Sequence, residues 1–129
     1  MSTNFIKTNI GYSSGKYIYQ AYINELSLWD YNPKPQTKTS AICIIDDNQN
    51  KLTYSRFDNN PDKVSGIYLN DELLFETDPY EETNILWVSI DLDSKKVSFY
   101  KNHDFIYTAD ISIFSGNVYI GYESSPDIL

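Results

Sequence analysis

Cysteine, histidine and arginine are nearly absent from this sequence, which contains one of each: Cys43, His103 and Arg56. A single cysteine cannot form a disulfide within the chain or a thiolate metal cluster. A nucleophile and base pair would need His103, but its neighbours Asn102 and Asp104 predict an exposed turn without pocket walls. One arginine leaves few guanidinium groups for carboxylate or phosphate recognition. These absences weigh against an enzyme, and nothing in the sequence calls for a cofactor.

Long apolar runs and excess positive charge are also missing. No run approaches the roughly 20 apolar residues that cross a membrane, and the first residues lack the pattern of a signal peptide. The formal net charge of −8 opposes binding to nucleic acid, which depends on Lys and Arg. We therefore expect no nucleic acid partner and no membrane insertion. We predict a cytoplasmic location, with an extracellular or virion-associated one as the alternative.

The chain has ample material for a core. Its 129 residues are 41% hydrophobic and 16% aromatic, which excludes a disordered chain. A length near that of typical domains predicts that residues 1–129 form one domain.

Short runs of Tyr, Ile, Val, Phe and Thr alternate with clusters of Asn, Asp, Pro, Ser and Gly about every ten residues. This rhythm predicts an all-β sandwich or barrel, and no segment predicts a helix. The predicted strands are 4–10, 16–24, 39–46, 51–57, 65–69, 72–75, 85–92, 96–101, 105–110 and 117–123.

Several predictions concern single elements. Alternation in 85–92 predicts an inner strand with one dry face and one mixed face that includes Trp87. Asn70-Asp71 predicts a tight hairpin turn. Proline-containing segments 28–38 and 58–63 predict loops. Apolar neighbours on both sides of Cys43 predict a buried thiol.

Within residues 90–102, Ile90 and Asp91 end one predicted strand, and residues 97–100 lie in the next. These residues resemble the Leu-Asp positions and the Ser-Phe-Tyr strand of the SPRY (PRY-SPRY) domain family. Residues 109–121 resemble the family's closing segment, and 14–23 are similar to its early Gly-Lys-x-Tyr strand. The resemblance implies an antiparallel two-sheet β-sandwich, a jelly roll related to concanavalin-like proteins. It also implies a non-catalytic module that presents rim loops to proteins or peptides.

Five residues are the candidate contacts for such a partner. Exposed aromatic residues beside amides suit peptide anchoring and also stacking on sugars. The candidates are Trp29, Tyr31, Asn32, Arg56 and Tyr80. For Trp29, packing against an end of the core is an equally weighted interpretation.

Two alternatives to protein recognition stay open. One is a carbohydrate-binding module on the same sandwich, such as a phage or bacterial receptor-binding domain. The other is a small acidic inhibitor that blocks a basic site.

Carboxylate pairs and oxygen-rich runs are weaker signals. Asp91 and Asp93 are the one alternating carboxylate pair near a strand, and we interpret them as solvated turn residues rather than an acid and base. Segments 46–50 and 58–62 carry the oxygen ligands that Ca²⁺ prefers but fail the EF-hand pattern. We predict ordinary turns there and no metal site, and a calcium site of a type other than the EF-hand is the alternative.

Overall fold

The computed structural model describes residues 4–7, 11–22, 39–57, 62–79 and 84–124. Within these ranges there is no helix, and every predicted strand is present. The strands are β1 (Asn4–Lys7), β2 (Lys16–Tyr22), β3 (Thr39–Asp46), β4 (Lys51–Phe57), β5 (Gly66–Leu69), β6 (Glu72–Glu76), β7 (Ile85–Asp91), β8 (Lys96–Lys101), β9 (Asp104–Asp110) and β10 (Val118–Ser124).

These strands form two antiparallel sheets. The six-stranded sheet has the order β1-β10-β3-β4-β5-β6, and the four-stranded sheet has the order β2-β7-β8-β9. The predicted antiparallel two-sheet sandwich is therefore confirmed, and β7 is an inner strand as expected.

The core lies between the sheets and follows from alternation along the strands. In β7 the even-numbered residues are buried and the odd-numbered ones are partly exposed. Tyr54 of β4 and Phe99 of β8 meet edge to face across the core, with ring centroids 5.7 Å apart. Cys43 is fully buried, as predicted. Among the described residues, no helix is long and apolar enough to span a membrane.

One end of the sandwich, which we call the turn end, is where consecutive strands are joined by the connections 8–15, 47–50, 70–71, 92–95 and 111–117. Hydrogen bonds tie these connections together across the two sheets. Ile111 N donates to Lys95 O at 3.0 Å, and Asn50 Nδ2 donates to Ile113 O at 3.2 Å. The carboxylate of Asp46 accepts from the backbone N–H of Ser115 at 2.9 Å. Hydrogen bonds between these connections therefore hold the two sheets together at the turn end.

The opposite end, which we call the loop end, holds the other connections. Strands β2 and β6 end at this end, and β3 and β7, which follow them in the chain but belong to the other sheet, begin here. The β4–β5 connection 58–65 and the short β8–β9 turn at Asn102 and His103 also lie here. The longest connection between strands, 23–38, therefore joins a strand that ends at the loop end to one that begins there.

Candidate functional site

Four of the five candidate contacts lie outside the described residues: Trp29, Tyr31, Asn32 and Tyr80. They belong to segments that join strands at the loop end. Arg56 is described and is the penultimate residue of β4, also at the loop end. It shares its face of β4 with Tyr54 and is partly buried. The described strands that flank the five candidates therefore end or begin at the loop end, and the candidates themselves stay predictions.

The outer face of the four-stranded sheet is a second candidate surface, made of side chains that point away from the core. Strand register arranges them in three rows that run across β2, β7, β8 and β9. The row nearest the loop end, which we call the aromatic row, consists of Gln20, Trp87, Tyr100 and Phe105. The middle row, which we call the hydroxyl row, consists of Ile18, Ser89, Ser98 and Thr108. The row nearest the turn end, which we call the charged row, consists of Lys16, Asp91, Lys96 and Asp110.

A β-bulge completes the aromatic row. Phe99 pairs with Tyr107, but the register shifts next to it, so that Tyr100 faces Phe105 rather than Ile106. Ile106 then packs against the core. The rings of Tyr100 and Phe105 meet edge to face at 5.7 Å.

A groove of about 330 Å³ opens on this face. It is lined by Ile18, Trp87, Ser89, Tyr100, Asn102 and His103. His103 is exposed in its turn, as expected, but the expectation that no pocket walls surround it was wrong. The walls come from β2 and β7, whose positions beside this turn are set by register and are not visible in the local sequence. The volume lies at the lower limit of small-ligand sites, roughly 300–1,000 Å³.

Polar atoms in the groove are available to a ligand. Over the described part of the chain, the Trp87 indole, the Ser89 hydroxyl and the His103 imidazole make no hydrogen bond. Beside them, the hydroxyls of Ser98 and Thr108 bond to each other at 2.7 Å. The groove therefore has an apolar wall beside hydrogen-bond donors and acceptors that a ligand can use.

The charged row is neutral overall, because its lysines face its aspartates. Lys96 Nζ lies 3.1 Å from Asp110 Oδ2, and Lys16 Nζ lies 3.9 Å from Asp91 Oδ2. Hydrogen bonds from Ser112, aided by Lys96, lower the pKa of Asp110 to about 2. Backbone hydrogen bonding from Ser94, with Lys16 nearby, lowers the pKa of Asp91. Both carboxylates therefore stay ionised at neutral pH.

Asn102 fixes the groove at the loop end. Its φ of 56° is left-handed, which asparagine tolerates better than most residues. Its backbone N–H donates to Ile85 O at 2.7 Å, and its Oδ1 accepts from Ile85 N at 3.0 Å. The turn thus clamps the start of β7.

We expect Asn102→Ala to lower the free energy of unfolding by about 2 kcal/mol, because it loses the Ile85 bond and strains the backbone. Asn102→Gly keeps the backbone conformation and should cost about half as much. Chemical denaturation of both variants measures the difference. Equal losses would contradict a contribution from backbone strain.

The carboxylates of the β7–β8 turn serve the fold. Asp91 Oδ1 accepts from the N–H groups of Asp93 and Ser94, each at 3.1 Å. Asp93 Oδ1 accepts from Gly15 N at 3.0 Å. Both act as turn residues, as predicted. At 46–50 the predicted turn is also present, and Asp46 accepts from N–H donors there. No group of three metal-binding side chains occurs among the residues that the structure describes.

Comparison with known proteins identifies the architecture. No family model matches the sequence, and no curated protein matches it. Among solved structures, the SPRY domain of human HERC1 matches with a TM-score of 0.58 at 11% identity, covering 94% of this chain and 74% of that chain. An identity this low establishes the fold alone. The chain is therefore a two-sheet β-sandwich with the fold of a SPRY domain.

Proposed function

We propose that this chain is a non-catalytic binding module that recognises a protein or peptide with its loop end. The observation that carries this proposal is the difference between the two ends of the sandwich. Hydrogen bonds between described connections tie the turn end together, whereas the strands joined by 23–38, which is the longest connection, and by 58–65 and 77–84 end and begin at the loop end. Binding residues concentrate on loops that a rigid scaffold positions.

The residues of these connections suit a protein partner. Segment 23–38 contains Trp29, Tyr31 and Asn32, and segment 77–84 contains Tyr80. Arg56 is near the end of β4, at the loop end. Trp, Tyr and Arg are the residue types that most often dominate binding energy at protein interfaces. The structural similarity to the HERC1 SPRY domain supports the two-sheet scaffold that this proposal requires.

Affinity capture with matched variants tests the proposal. We expect the wild-type chain to retain a specific protein that a Trp29→Ala, Tyr31→Ala double variant loses. Ile113→Ala is the control, because Ile113 is an exposed apolar residue at the turn end. Its bait should retain the same protein. Equal capture by all three baits would contradict recognition by the loop end.

A salt titration of the captured complex distinguishes the acidic-inhibitor alternative. Binding through aromatic anchors should change little with ionic strength, whereas binding dominated by the net charge of −8 should weaken steeply. A steep loss of affinity would favour the inhibitor.

A further inference from the structure

The outer face of the four-stranded sheet has a chemical pattern that recognition at the loop end leaves unused. The aromatic row lies directly beside the hydroxyl row, about 7 Å away along the strands. A pyranose ring has the matching pattern, because its C–H groups form an apolar face and its hydroxyls surround the edge. Aromatic rings with polar tips suit such amphipathic ligands.

Hydrogen-bonding groups stand where the hydroxyls of a sugar would lie. Ser89 is in the groove next to Trp87 along β7, and Asn102 and His103 line the groove at its loop end. Within the described residues, the Ser89 hydroxyl, the Trp87 indole and the His103 imidazole make no hydrogen bond in the free protein. They can therefore bond a ligand without first breaking a bond within the protein.

The distribution of charged side chains on this face favours an uncharged ligand. The chain carries a net charge of −8, yet the charged row pairs each lysine with an aspartate. The aromatic and hydroxyl rows contain no ionisable group other than the Tyr100 phenol, and the groove adds the His103 imidazole. The groove therefore offers a ligand no lysine, arginine or carboxylate.

The size of the face favours a small ligand over a folded protein. The four strands and three rows give twelve residue positions, each about 4.8 Å by 7 Å, so the face covers roughly 400 Å². A stable protein interface buries about 800 Å² on each partner. One or two sugar rings fit the available area and the groove of about 330 Å³.

We propose that the groove over Trp87, Ser89 and Tyr100 binds an uncharged saccharide. Trp87 and Tyr100 contact the C–H face of a sugar ring, and Ser89, Asn102 and His103 bond its hydroxyls. This site adjoins the loop end through Asn102 and His103, but it includes none of the five proposed loop-end contacts and binds a different class of ligand. Either proposal can therefore fail without the other.

The test uses the full chain on an array of neutral and acidic oligosaccharides. We expect binding to at least one neutral glycan, competed by the same sugar in solution. Trp87→Ala should weaken the affinity about tenfold, and Ser89→Ala, which preserves the shape of the groove, about fivefold. Ile113→Ala at the turn end should bind like the wild type.

Intrinsic fluorescence places the ligand in the groove. The chain has two tryptophans, so Trp29→Phe leaves Trp87 as the only one. Its emission should change on titration with the neutral glycan that the array identifies, and the affinity should change less than about twofold on adding salt.

Several outcomes would overturn the proposal. These are an array without neutral binders, selective binding of sialylated or sulfated glycans that salt abolishes, and full affinity in a folded Trp87→Ala variant. A change in Trp87 emission with uncharged aromatic peptides, but with no glycan, would assign the groove to peptides instead. Chemical denaturation of each variant confirms that it is folded.

Discussion

Replacing Asp46 with alanine is expected to lower the free energy of unfolding by about 4 kcal/mol. Asp46 is only 2% exposed at the end of β3. Its carboxylate accepts hydrogen bonds from Asn48 N at 2.9 Å, Asn50 N at 2.7 Å, Asn50 Nδ2 at 2.9 Å and Ser115 N at 2.9 Å. Without the carboxylate, these donors lose their acceptor, and the β9–β10 connection loses one of its hydrogen bonds to the β3–β4 turn.

Chemical denaturation measures this loss against two further variants. Asp46→Asn keeps the shape but removes the charge and points an amide N–H at other donors, so a loss of about 2 kcal/mol is expected. Asp104→Ala removes an exposed carboxylate at the loop end and should change stability by less than about 0.5 kcal/mol. If Asp46→Ala were as stable as Asp104→Ala, the network would contribute nothing.

The pH dependence of stability gives a second readout for the same carboxylate. Burial raises the pKa of Asp46, but hydrogen bonds from Asn50, Ser115 and Asn48 together outweigh it, so the pKa lies below its ordinary value. A pKa lowered by folding contributes stability above the unfolded-state pKa, and this is lost as the pH falls through the folded-state pKa.

The stability difference between the wild type and Asp46→Asn should therefore be complete at neutral pH. It should shrink as the pH falls below about 4, because both side chains are then uncharged. Denaturation series at several pH values measure the difference. A difference that stays constant into strong acid would contradict the contribution of the charged form.

Strand positions could be predicted from the sequence because they depend on local alternation. Leu86, Val88 and Ile90 occupy every second position of β7, and the same three residues are buried. Turn residues such as Asn70 and Asp71, both with positive φ, likewise identify their own hairpin. These signals extend over a few residues and do not give the order of the strands in the sheets, which only the structure shows.

The groove could not be predicted in the same way, because it depends on pairing between distant strands. Simple alternation would place Ile106 opposite Tyr100, whereas the bulge puts Phe105 there. Ser89 faces Ile18 from 71 positions away in the sequence, through the β2–β7 register. The bond from Ser115 to Asp46 spans a similar separation. A single sequence does not show which distant residues pair with each other.

The second large effect is expected at Gly66, where β5 approaches β6 too closely for a side chain. A Cβ at this position would lie 2.2 Å from the backbone oxygen of Phe75 and 3.1 Å from Glu76 Cα. Backbone atoms cannot rotate away, so Gly66→Ala must push β6 from its neighbour. We expect a loss of at least about 3 kcal/mol in the free energy of unfolding, from strain and weakened β5–β6 hydrogen bonds.

A second contact of β6 shows whether Gly66→Ala destabilises the protein by displacing this strand, because β6 also packs against the other sheet. Phe75 stacks on Tyr107 of β9 with ring centroids 5.1 Å apart, and Phe75→Ala alone should cost about 1 kcal/mol. If Gly66→Ala already displaces β6, the stacking is lost in both variants, so the double variant should lose less than the sum of the single losses. Additive losses would show that β6 stays in place and that the clash is relieved elsewhere.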